Sequence, residues 1–259
     1  MVNNHLQKIL ILLLSFFISL FHCSAQENLT PHLVKISFVN TVKAMPLILD
    51  SAVYTNPFGE QYRVSRLKYY IGNVSLHSVR QPAASHIKFK HFTQEGYHLI
   101  NEEDTASLNF NIWAGIDRYD SISFLIGVDS IKNVSGAQTD ALDPANGMFW
   151  TWNSGYIFFK LEGNSPSSTI INHKVEYHIG GFEGMNNALR TVTLPLNSFA
   201  VKKDGRNEII ILADLDKLWL QPNPLKIAET AVTMTPGILS KKIADNYSRM
   251  FSIKEVKAL

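Results

Sequence analysis

Residues 174–181 read Lys-Val-Glu-Tyr-His-Ile-Gly-Gly, and this short run points to the fold class. Val175, Tyr177 and Ile179 alternate with polar side chains, one of which is His178. Alternation with a period of two is typical of a β-strand that turns one face to a core and the other to water. The run therefore predicts a half-buried strand with His178 on its polar face.

The same alternation recurs in short segments that are separated by polar turns. These segments lie at residues 34–39, 67–72, 87–91, 108–112, 122–128 and 191–196. A continuous apolar run at 209–212 is expected to form a strand that is buried on both faces. Many short strands of this kind predict an all-β protein, with a single antiparallel β-sandwich or barrel-like domain.

One helix is predicted near the end of the chain. Apolar residues recur there at three- and four-residue spacing, at Leu239, Ile243, Tyr247, Met250 and Phe251. This spacing makes an apolar stripe on one side of a helix, and the Pro236-Gly237 pair marks the break before it. We therefore expect a C-terminal helix that packs on the sandwich.

The first residues have the layout of a secretory signal peptide. Lys8 precedes an apolar run at 9–21, and small residues lead to a cleavage position after Ala25. We expect residues 1–25 to be the signal peptide and residues 26–259 to be the mature domain. The apolar run is short for a membrane span, and no later segment is long enough. The sequence thus predicts an exported protein, periplasmic or otherwise, without a membrane span.

Composition excludes several classes of protein. The chain has 259 residues, of which 46% are hydrophobic and 18% are charged, so it is not a disordered chain. Its net charge of +2 comes with no basic patch, and nucleic acid is therefore not an expected partner. The single cysteine, Cys23, lies in the predicted signal peptide, which excludes multi-cysteine metal sites. No nucleophile–base pair or metal triad is recognisable, so we do not expect an enzyme.

One segment looks unlike the scaffold. Residues 134–147 are rich in Gly, Asp, Asn and Ala and predict a long loop, and Trp150 and Trp152 follow it. If this part of the chain is extended, both indole rings lie on one face, roughly 6 to 7 Å apart. Such rings most often fill a core. With Tyr156 they could instead form an aromatic platform that binds a glycan or a protein partner.

Several blocks of the sequence resemble the MbnP-like family. They are residues 38–40, 46–49, 64–74, 142–163 and 177–181. The most distinctive block contains Gly-Met-Phe-Trp-Thr-Trp-Asn-Ser-Gly-Tyr at 147–156. The MbnP-like proteins are exported copper-binding proteins associated with methanobactin systems, so the resemblance implies a β-rich fold and a role with copper.

The resemblance also implies a partner and a set of site residues. Proteins of this family are associated with MauG-like di-haem enzymes that oxidise a tryptophan to a kynurenine, which carries an amine and a carbonyl. By position, Trp150 and Trp152 are the candidates for this oxidation, and His178 is the candidate imidazole ligand of copper. A further ligand is left open among the other histidines, including His32, His77 and His91.

Overall fold

The structure is a computed structural model that describes residues 31–78, 91–115, 118–136, 138–150, 155–203 and 205–258. The predicted signal peptide lies outside the described residues, as do Trp152 and residues 87–90 of one predicted strand. Residues Pro31–Leu259 group into one compact unit. No helix in the described ranges is long and apolar enough to cross a membrane.

The described residues form fourteen strands and three α-helices. The strands are β1 (His32–Val42), β2 (Met45–Pro46), β3 (Tyr54–Thr55), β4 (Gln61–His77), β5 (His91–Asn101), β6 (Asn109–Ala114), β7 (Arg118–Ile126), β8 (Phe149–Trp150), β9 (Gly155–Asn164), β10 (Lys174–Gly180), β11 (Arg190–Ala200), β12 (Asn207–Asp214), β13 (Val232–Thr233) and β14 (Phe251–Ala258). The helices are α1 (Ser130–Val134), α2 (Ile227–Thr230) and α3 (Ile238–Tyr247).

One sheet is built around β1. This strand pairs in parallel with β12 and antiparallel with β2 and β6, and β14 pairs antiparallel with the other edge of β12. The parallel pair differs from the antiparallel arrangement expected from the sequence. Parallel neighbours need a long crossover connection, and here β1 and β12 are separated by most of the chain. Alternation of side chains reports a strand and its buried face, but not the direction of its neighbours.

The second sheet runs in the order β11-β7-β4-β9-β10-β13, with β3 and β5 also paired to β4 and β8 paired to β9. β4 has 17 residues, which is long enough to pair with β9 along its first half and with β7 along its second half. In this sheet His178 lies opposite Lys160, and Lys160 lies opposite Lys68. The pairing of β10, β9 and β4 therefore brings three distant polar residues into one row.

The core lies between the two sheets. Phe38 on β1 is 2% exposed, and its ring centre lies 6.1 Å from that of Tyr69 on β4 and 5.8 Å from that of Phe124 on β7. The sheets thus pack face to face through inward-pointing side chains of alternating positions, as in a sandwich. This confirms the predicted all-β class.

The end of the chain confirms the predicted helix and corrects its extent. Helix α3 ends at Tyr247, and Phe251 begins β14, so the chain ends in a strand that follows the helix. The predicted loop at 134–147 is also more regular than expected, since two short 3-10 turns lie at Asp140–Leu142 and Pro144–Asn146. The run at 209–212 is buried on one face only, because alternate side chains are half-exposed.

Candidate functional site

His178 lies on β10 beside a carboxylate of the neighbouring strand β9. Its Nε2 atom is 2.7 Å from Oε1 of Glu162. Both side chains point to the face of the sheet that lies away from the core, because their neighbours Ile179 and Leu161 are buried inside it. The two residues are largely covered, with 13% of the His178 side chain and 18% of the Glu162 side chain exposed.

Cationic side chains surround this pair. Arg66 on β4 donates from Nη1 to Oε2 of Glu162 at 2.5 Å and from Nε to Oε2 of Glu103 at 3.2 Å. Lys160 places Nζ 3.9 Å from Oε1 of Glu162 and donates to the carbonyl oxygen of Gly147 at 2.5 Å. We call Arg66, Lys68, Glu103, Lys160, Glu162 and His178 the polar cluster. Three cations and two carboxylates thus meet on one face of the sheet.

These contacts set the charge of Glu162. The pKa of Glu162 is lowered to about 2, chiefly by its hydrogen bond with His178 and also by Arg66 and Lys160, although burial acts in the opposite direction. Burial lowers the pKa of Lys160, an effect opposed chiefly by Glu162. Glu162 is therefore ionised at neutral pH and can only accept hydrogen bonds. It follows that His178 donates from Nε2 to the carboxylate.

Trp150 lies on β8, and its ring lies next to the end of β10. β8 pairs with the start of β9, and Trp150 is 5% exposed. A methyl group at Gly180 would lie 2.7 Å from Cζ3 of Trp150 and 2.5 Å from the carbonyl oxygen of Tyr156, which is too close for either contact. Gly180 therefore lets the indole ring approach β10, two residues along the strand from His178.

Gly180→Ala should disturb the position of Trp150. The added methyl group meets a ring and a backbone oxygen that cannot easily move, so we expect a loss of about 1–3 kcal/mol in the free energy of unfolding. Tryptophan fluorescence should change as well. Gly237→Ala is the matched control, because no atom lies within 4 Å of the added group. Equal stability and fluorescence in the two variants would contradict this packing.

The structure places two of the predicted site residues at the same strand. Trp150 and His178 both belong to the region around β10, whereas Trp152 lies outside the described residues. Two of the other histidines are held elsewhere. His32 lies opposite Ala114 in the other sheet, and His77 places Nε2 2.6 Å from Oγ of Ser123.

Two of the three rings of the predicted aromatic platform are buried. Trp150 is 5% exposed and Tyr156 is 1% exposed, and the Tyr156 hydroxyl donates to the carbonyl oxygen of Leu142 at 2.8 Å. A glycan or partner protein needs an exposed ring face to stack on. Burial at these two positions leaves no such face, so the platform formulated from the sequence is not supported here.

The partners of His178 were not predicted from the sequence. Arg66 lies within one family-like block, and Lys160 and Glu162 lie within another, but no spacing rule places them beside His178. The available signal was the alternation of Lys160 and Glu162 with buried apolar residues in β9. That signal gives the face on which they lie, but not the register that sets them against β4 and β10.

The fold is a β-sandwich in which the Trp150 ring packs against Gly180, on the strand that also carries His178. The sequence model of the MbnP family matches residues 31–236, so the chain belongs to the MbnP family. Among solved structures, MbnP from Methylosinus trichosporium is similar, with 14% sequence identity and a TM-score of 0.47. That match covers 88% of this chain and 99% of the other. No curated protein matches the chain.

Proposed function

We propose that this chain is an exported copper-binding protein, in which His178 and an oxidised Trp150 or Trp152 bind the metal. Family membership supports a role in copper handling. The observation that carries the choice of residues is the contact of the Trp150 ring with Gly180, two positions along β10 from His178. A ring that can be oxidised thereby lies beside Gly180, on the strand that carries the imidazole of His178.

The described residues of the polar cluster offer copper one imidazole and no complete set of ligands. Imidazole is a preferred ligand of copper, and Nδ1 of His178 makes no hydrogen bond with any described residue. The carboxylates of Glu103 and Glu162 are already occupied by cations of the polar cluster. Across the described part of the chain, no group of three or more His, Cys, Asp or Glu residues could hold a metal ion. A further donor is therefore required.

Oxidation of a tryptophan would supply that donor. Cleavage of the indole C2–C3 bond adds one oxygen atom to each carbon, with peroxide or dioxygen as the oxidant and a MauG-like di-haem protein as the proposed catalyst. Hydrolysis of the resulting N-formyl group releases formate and leaves an aryl amine and a ketone. The amine nitrogen and the ketone oxygen can both bind a metal, which a plain indole cannot do.

Peptide mass spectrometry with metal analysis tests this function. The mature protein is isolated from its native host, and its copper content is measured on the same sample. We expect bound copper and a mass change at Trp150 or Trp152 that corresponds to a kynurenine or its N-formyl precursor. A sample from a strain without the di-haem protein is the control, and it should show neither.

Two results would contradict the proposal. Unmodified tryptophan at both positions, in protein that still binds copper, would remove the oxidised residue from the site. Protein with no copper and no modification would remove the metal function altogether and leave only the family assignment.

A further inference from the structure

We propose that a cleft between β5, β6 and the loop at 134–147 binds a neutral saccharide. This β5–β6 cleft has a volume of about 430 Å³, which lies in the range of small-molecule sites. Neither His178 nor Trp150 lines it, so the inference is independent of the proposed copper function. It also gives a role to the loop that the sequence singled out.

Three segments of the chain form the walls of the β5–β6 cleft. β5 and β6 meet where His98 stacks on Phe110, with ring centres 3.6 Å apart and planes inclined by 2°. The turn between the two strands adds Asp104, and the 3-10 turns at residues 140–146 add the remaining wall. Asn146 holds this wall together, because its Nδ2 atom donates to two backbone carbonyl oxygens of the loop at 2.9 and 3.0 Å.

Several polar side chains of the cleft have atoms that no described residue occupies. The ring nitrogens of His98 and the carboxamide of Asn109 make no hydrogen bond with a described residue. Asp104 and Asp140 each use one carboxylate oxygen in a local hydrogen bond, which leaves the second oxygen of each to accept from a ligand. The cleft therefore offers a ligand both donors and acceptors.

Charge and polarity argue against other ligand classes. Among the described residues that line the cleft, Asp104 and Asp140 are the charged ones, and neither forms an ion pair with a described residue. Two carboxylates without a cation repel an anionic ligand. A metal ion is not favoured either, since the described residues contain no group of three or more His, Cys, Asp or Glu that could hold one. An apolar ligand would leave the polar groups buried without partners.

Hydroxyl groups match the chemistry that remains. A hydroxyl both donates and accepts, a carboxylate only accepts, and a carboxamide does both through separate atoms. Burial lowers the pKa of His98, so its ring is neutral at pH 7 and offers one donor and one acceptor. A compact ring that carries several hydroxyl groups satisfies this mixture, and a neutral saccharide is such a ligand. Recognition by hydrogen bonds inside a cleft does not need the exposed ring face of a platform.

An NMR titration of the ¹⁵N-labelled mature protein tests the ligand class. The probes are four neutral disaccharides, maltose, cellobiose, mannobiose and chitobiose, each at millimolar concentration. We expect at least one of them to shift the amide signals of β5, β6 and residues 140–146 in a saturable way, with the Asn109 carboxamide among them. The anionic disaccharide digalacturonate and the diammonium ion putrescine should bind more weakly than that disaccharide.

Two variants and a control test the position of the site. Asn109→Ala removes the carboxamide, and His98→Phe keeps a flat ring against Phe110 but removes both ring nitrogens. Each should weaken binding of the disaccharide about 3- to 10-fold, as expected for the loss of one hydrogen bond. Asn164→Ala is the matched control, because it removes an exposed carboxamide at the end of β9, away from the cleft lining. It should leave the affinity unchanged.

Each other result would overturn the proposal. No shift in the cleft with any of the four disaccharides would remove the saccharide function. Tighter binding of putrescine than of every disaccharide would mean that the two carboxylates select a cation instead. Saccharide binding that is unchanged in both variants would place the sugar elsewhere. Asn109 is exposed, so Asn109→Ala decides the position even if His98→Phe does not fold. Copper content, measured on the same samples, reports separately on the proposed function.

Discussion

His178→Gln should lower the copper affinity of the protein by more than about 100-fold. Loss of a group that only orients a metal ligand typically costs up to about 100-fold, and loss of the ligand itself should cost more. Gln retains an amide that can donate to Glu162, so the hydrogen bond to the polar cluster can be kept. It does not retain the imidazole, which is the proposed nitrogen ligand of copper. Competition with a chromogenic copper chelator measures the change.

His173→Gln is the matched control for this variant. His173 lies just before β10, and its Nδ1 atom is 2.9 Å from the carbonyl oxygen of Ser168, away from the polar cluster. The control should bind copper as the unaltered protein does. Equal affinities in the unaltered protein and in His178→Gln would contradict the assignment of His178 as a ligand.

Phe38→Ala should destabilise the whole fold by about 3–5 kcal/mol, because it removes a large ring from the centre of the core. The ring centre of Phe38 lies within 6.2 Å of the rings of Phe110, Phe124, Phe251 and Tyr69. These neighbours belong to both sheets, and the surrounding strands are too well paired to collapse into the cavity. Urea denaturation measures the free energy of unfolding.

Ile131→Ala is the control for the loss of apolar volume. Ile131 is 73% exposed on α1, and removing its side chain should change the free energy of unfolding by no more than about 0.5 kcal/mol. If Phe38→Ala lowered the free energy of unfolding no more than Ile131→Ala does, the two sheets would not pack against each other through the Phe38 ring.

The sequence predicted strands well where alternation is regular. The run at 174–181 became β10, with Val175, Tyr177 and Ile179 buried and His178 on the other face, as expected. Residues 34–39 and 191–196 likewise lie within β1 and β11. In these places one face meets the core, and burial imposes a period of two on the sequence.

Irregular strands escaped prediction for a physical reason. Between Ile210 and Ile211 of β12 the pairing partner on β14 changes from Glu255 to Ile253, and the β14 residues that pack on the core are Ile253 and then Val256, three positions later. A bulge of this kind breaks the period of two. Phe251 in addition continues the helical spacing of the preceding residues, which drew it into the predicted helix.

The candidate site was predictable only in part. A single histidine on a polar strand face and a tryptophan after a loop were visible in the sequence, and the structure places Trp150 near the end of β10. The contact of His178 with Glu162 depends on the register between β9 and β10. The contact of Glu162 with Arg66 depends on the pairing of β4 with β9. Both are tertiary properties that no local pattern encodes.

The measurement that tests the central claim most directly is anomalous X-ray diffraction at the copper edge, from crystals of the mature protein isolated from its native host. The account predicts one copper peak beside the imidazole of His178, with electron density for an opened indole ring at Trp150 or Trp152 next to it. A copper peak at another place in the fold, or copper beside His178 with both indole rings intact, would contradict it.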